Sequence, residues 1–124
     1  MAYLVVFIGG GIGAALRHGV NIGAARLFGT SFPFGTLSVN IIGCLAMGLL
    51  AGYFALKGDL SQNWRLFLTT GILGGFTTFS AFSLDVAVLY ERGEIGLAAT
   101  YVLASVMVSL IAVFAGLALM RSLT

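Results

Sequence analysis

The chain has 124 residues, of which 60% are hydrophobic and 8% charged, and its formal net charge is +2. Soluble domains carry about 25% charged residues. Six basic and four acidic side chains cannot solvate a domain of this size, so the composition specifies one integral membrane domain, 1–124. The scattered basic residues exclude a nucleic-acid face, and the single cysteine, Cys44, excludes an internal disulfide framework.

A helix needs about 20 apolar residues to cross a bilayer, and four segments qualify. The first, 2–28, has no basic segment before it and no cleavage site leading into a polar domain, so it reads as a retained helix, not a removed signal. Its second half carries Arg17, His18, Asn21 and Arg26. Gly9-Gly10-Gly11-Ile12-Gly13-Ala14 fits a dinucleotide-binding pattern, but the first acid is Asp59, far beyond the position a ribose contact requires. These glycines read instead as a close-packing face. The second span, 34–56, is uncharged; Thr36 and Asn40 lie four apart on one helix face, and Cys44 reads as a small buried hydrophobe. The third, 66–90, holds Asp85 as its only charge. The fourth, 95–120, is uncharged and carries Tyr101, Ser105 and Ser109 at spacings of four, a polar rail about two turns long. The connections 29–33, 57–65 and 91–94 are too short for an extramembrane domain, so function resides within the bilayer.

Residues 74–83 read Gly-Gly-Phe-Thr-Thr-Phe-Ser-Ala-Phe-Ser. Two glycines, four hydroxyl residues and phenylalanines at 76, 79 and 82 make a poor lipid-facing helix. A weakened helix at that depth must be buried in protein or line a wet path. Polar residues in a span are costly, and by default each is a hypothesis about function. Three spans carry such stripes. Asn40 offers an amide N–H, the hydroxyls offer O–H donors, and phenylalanine offers the positive edge of its ring. Donors and ring edges without fixed positive charge suit a small anion held weakly enough to leave. No Ser-His-Asp or Cys-His set exists, which excludes the usual enzyme chemistries.

Orientation follows the lysine and arginine bias of the loops. Lys57, Arg65 and Arg121 fall on one face, and Arg17, Arg26 and Arg92 on the other. Three against three predicts insertion both ways and an antiparallel homodimer. The pairs Gly9/Gly13 and Gly48/Gly52 permit close helix contact and are read as further support for oligomers.

At these residues the sequence resembles the Fluc/CrcB family of fluoride channels. The likeness runs through residues 9–14 with Arg17, through Gly35-Thr36-Leu37-Ser38-Val39-Asn40 with Gly43, and through residues 69–83, and it covers nearly the whole chain. The resemblance implies a dual-topology homodimer in the cell (inner) membrane, with two antiparallel pores and a third helix broken near 74–78. It implies a fluoride pathway through Thr36, Asn40, Phe79, Phe82, Ser83, Tyr101, Ser105 and Ser109, with Arg17 near the aqueous vestibule. It also implies a structural, untransported sodium ion at the dimer interface, held by the backbone carbonyls of Gly74 and Thr77. Ala81 stands where the family usually has threonine or serine, and Asp85 where it usually has glutamate; Asp85 is given no site role. Two other functions compete. A proton-coupled exporter of the small multidrug-resistance type needs a carboxylate in the first span, and 2–28 contains none. A packing protein would use the polar stripes as helix glue.

Overall fold

The computed structural model describes residues 1–57 and 61–123. Helix α1 spans Ala2–Phe28, α2 Phe34–Lys57 and α6 Ile95–Ser122. Between α2 and α6 the chain forms α3 (Gln62–Leu66), a π-helical segment (Phe67–Leu73), α4 (Gly74–Phe76) and α5 (Ser80–Glu91). Four helical stretches are long and apolar enough to cross a membrane, the third being Gln62–Glu91. The third stretch starts earlier than its apolar pattern predicts. Ser61 Oγ accepts the Trp64 N–H at 3.4 Å, and this N-cap extends the helix by one turn into polar sequence.

Side-chain volume decides which helices touch. Gly9 and Gly13 are buried against the third stretch: a Cβ at Gly9 would stand 2.8 Å from the Phe67 carbonyl, and one at Gly13 would strike the Ile72 carbonyl. Gly48 and Gly52 perform the same service between α2 and α6, where a Cβ at Gly52 would lie 2.9 Å from Met120 Cβ. The glycine pairs are therefore used inside one chain. Their spacing correctly signals close packing, but it supplies no separate argument for an oligomer.

The π-helical turn is a feature the sequence pattern does not announce. It lies where the α1 glycines bring two backbones together, and π-turns recur at functional sites. From within it, Thr69 Oγ1 donates back to the Arg65 carbonyl at 2.7 Å, a back-bond of the kind that bends helices.

Two short turns meet at one end of the bundle. Arg92 Nη2 donates to the Ser31 carbonyl at 3.2 Å and pairs with Glu94 Oε2 at 3.1 Å. This contact places the α1–α2 and α5–α6 connections on the same face, as four spans require. The core is small. Tyr101, Leu89 and Val39 are the largest fully buried side chains among the described residues, while the outer faces of α1 and α6 present leucine, isoleucine, valine and phenylalanine outward, as lipid contact requires.

Candidate functional site: a groove at the break in the third span

The third span stops being helical after Phe76. Thr77 is extended (φ −84°, ψ 159°), and the helix resumes at Ser80. Asn40, projecting from α2, makes the interruption. Its Nδ2 donates to the Thr78 carbonyl at 3.0 Å, and its Oδ1 accepts the Thr78 N–H at 2.9 Å. Only one amide orientation satisfies both bonds, which fixes the assignment of oxygen and nitrogen. Thr78 Oγ1, one residue before the N-cap of α5, in turn accepts the Ala81 N–H of its first turn at 3.1 Å.

These bonds determine which carbonyls are left over. In a continuous helix Thr78 N–H would serve the Gly74 carbonyl and Ala81 N–H the Thr77 carbonyl. Both donors are engaged elsewhere, so among the described residues no donor reaches the Gly74 or Thr77 oxygen. The neighbouring acceptors are served: Thr77 N–H and Oγ1 both bond the Leu73 carbonyl, at 3.0 and 2.9 Å, and Arg17 Nε donates to the Gly75 carbonyl at 3.2 Å. Two orphan oxygens at the C-terminal end of a half-helix suit a hard cation that prefers oxygen ligands. Two oxygens alone fall short of the coordination number such an ion takes.

Beside the break lies an open groove of about 480 Å³. Asn40, Phe79, Phe82, Ser105 and Ser109 line it, as do Gly74 and Thr77. The Oγ atoms of Ser105 and Ser109 are buried and have no hydrogen-bond partner, so the rail on α6 arrives with its donors unspent. Asn40 retains one N–H of its amide after the Thr78 bond. Phe79 is 76% exposed and Phe82 only 8%, with ring centroids 5.4 Å apart. From Phe82 the stacking continues to Tyr101 (5.2 Å), Phe32 (5.5 Å, edge-on) and Phe34 (4.9 Å). The exposed ring at the groove is thus backed by an aromatic column that reaches the first connection.

The remaining expected residues stand elsewhere. Ser83 is exposed and lies outside the groove lining, as does Arg17, whose guanidinium is turned to the break. Tyr101 is fully buried, and its hydroxyl donates to Asp85 Oδ2 at 3.0 Å. With that proton committed, Tyr101 is the anchor of the rail and not one of its free donors. Thr36, also buried, belongs to the same cluster. Asp85 has a place in this cluster that the sequence reading does not assign to it. Its signal was present, for it is the one carboxylate in a span and falls in the segment opposite Tyr101. Cys44 departs from expectation as well: it is partly exposed and lines the groove.

Residues 4–117 match the family described as CrcB-like protein, Camphor Resistance (CrcB). The chain belongs to the CrcB family. Relatives named fluoride-specific ion channel FluC align with this CrcB chain over most or all of its length. FluC 2 of Nitrobacter hamburgensis is 62% identical over 124 residues, covering 100% of both chains. FluC of Rhodopseudomonas palustris strain BisB5 is 61% identical over 124 residues, again covering 100% of both. FluC of Methylobacterium nodulans is 63% identical over 118 residues, covering 95% of this chain and 94% of the relative. The CrcB assignment agrees with the sequence resemblance and supplies no support for the multidrug-exporter alternative.

Proposed function

We propose that this multi-pass membrane protein is a passive fluoride channel that lets the anion leave the cytoplasm and so lowers its toxicity. One observation carries the reading: the groove is lined by Asn40, with one amide N–H to spare, by Phe79 and Phe82, and by Ser105 and Ser109, whose buried hydroxyls have no partner, with no carboxylate among the lining residues. A small, strongly hydrated anion needs several donors to replace its water, and it must also be released. Neutral donors meet both demands. An arginine-lined site would hold a hard anion too tightly. The protein performs no covalent chemistry in this scheme and is not an enzyme. The names of its full-length relatives agree with fluoride as the permeant ion.

The open groove and the two orphan carbonyls are each half of a site. A second, antiparallel copy would close the groove and add two more carbonyls at the crossing of the breaks. The Gly74 and Thr77 oxygens of both copies would then hold a structural sodium ion, whose charge offsets the negative ends of the half-helices. Near balance in loop cations supports dual insertion: Arg26 and Arg92 lie on one face, Lys57, Arg65 and Arg121 on the other, and Arg17 is turned to Gly75. The cell inner membrane is the expected location.

Efflux from liposomes, followed with a fluoride electrode, tests the reading. Fluoride is expected to leave quickly, without a proton gradient, and chloride to be retained. Fluoride efflux no faster than from protein-free liposomes would sink it.

A further inference from the structure

Asn40 and Cys44 lie one turn apart on α2, and both line the groove; Ser105 and Ser109 stand one turn apart on α6 and line it too. The groove wall is therefore a pair of two-step polar rails, and the α2 rail continues past Asn40 to a thiol. Cys44 is free and only partly buried, although a small apolar side chain would suit a mere packing role. Ser105 points to an occupant independently. It is 95% buried, its Oγ has no partner, and it lines the same groove. An orphaned hydroxyl at that depth is costly unless a transient ligand accepts its hydrogen bond.

We infer that Cys44 lines the anion path as its fourth donor position, and that its thiol is a modification site through which sulfur electrophiles close the channel. The S–H group is a weak donor. It marks a stretch of the path where the ion is held less firmly than between Asn40 and Ser105, which favours release. The inference rests on the fluoride-channel reading above. Benzyl methanethiosulfonate is a suitable probe because it is neutral and enters an apolar groove. The deprotonated Cys44 sulfur attacks the sulfenyl sulfur and a disulfide forms. The S–SO₂ bond breaks, methanesulfinate leaves with the electron pair, and the thiol proton passes to water.

The experiment uses the full chain in liposomes, with intact-protein mass as a second readout. One benzylthio group is expected to add, efflux to fall by about tenfold or more because the adduct fills the narrow path, and dithiothreitol to restore it. Cys44→Ser is expected to ignore the reagent and to conduct more slowly than the parent, since its stronger donor holds the ion longer where the thiol favours release. Cys44→Ala is expected to ignore the reagent and to conduct more slowly. Full labelling with unchanged efflux overturns the assignment of Cys44 to the path, and failure to label overturns its accessibility. Absence of fluoride efflux from the unmodified parent overturns the channel reading itself, and the inference with it.

Discussion

Asn40 bonds both polar groups of the Thr78 peptide, so its replacement acts twice. Two net hydrogen bonds at about 1 kcal/mol each suggest that Asn40→Ala loses roughly 2 kcal/mol, read as a lower thermal midpoint in detergent. Flux should vanish as well, because the substitution also removes a groove donor. Tyr101 and Asp85 form the other decisive pair. Tyr101→Phe leaves a carboxylate without its donor inside a span, at a cost of about 2 kcal/mol; adding Asp85→Ala should recover most of that loss, since removing both partners is nearly neutral. A melting-temperature cycle over the four proteins measures the coupling. The phenylalanines separate by exposure. Phe79→Ile should abolish flux with stability unchanged, whereas Phe82→Ile should abolish flux and also cost about 1 kcal/mol, because Phe82 is packed between Phe79 and Tyr101. Unchanged flux in either variant would place the path elsewhere. Residue types and spacing single out Asn40, the phenylalanines at 76, 79 and 82 and the serine rail, whereas the choice of Phe79 and Phe82 comes from the family resemblance. The Asp85–Tyr101 bond and the outward position of Ser83 are not legible, because each depends on how α5 is rotated after the break.

At the scale of elements, glycine placement decides the packing, and the effect of filling each site differs along a single helix. Gly11 has nothing near the place a Cβ would take, while Gly13 faces the backbone of the third span. Gly11→Ala is therefore expected to stabilise the protein by about 0.5–1 kcal/mol through helix propensity. Gly13→Ala should destabilise it and push α1 away from the break. Denaturation of the two variants side by side in detergent is the comparison that matters; equal behaviour would contradict the close approach. The four spans were readable from hydropathy and length, and the break from its glycines and threonines. The π-helical turn was not. It arises from contact between α1 and the third span, and no local pattern in 67–73 encodes a partner helix.

For the whole molecule, loop charge decides how the chain enters the membrane. Two added lysines in the α1–α2 connection should drive every copy into one orientation, and two added in the segment between α2 and α3 should drive the opposite one. Each variant alone should lose flux, and co-expression of the two should restore it; accessibility labelling of a terminal tag reports the orientation directly. Flux from either variant alone would remove the need for an antiparallel pair. Were the proposed sodium ion to bridge the proposed dimer, replacing sodium by a larger organic cation would weaken the pair without changing the secondary structure of the monomer, which size-exclusion chromatography and circular dichroism can separate.

A gap between two half-helices is ordinarily where a membrane segment flexes. Here the Thr78 peptide is gripped on both sides by Asn40, and its hydroxyl is tied to the Ala81 N–H. The joint should therefore act as a weld. Amide hydrogen exchange should report this directly: the Thr78 and Ala81 protons ought to exchange slowly in spite of lying outside regular helix, and Asn40→Ala ought to release Thr78 while leaving amides in the middle of α6 unchanged. A rigid joint also means that passage of an ion need not await a backbone movement, so conduction can proceed at the pace of side-chain and ion motion.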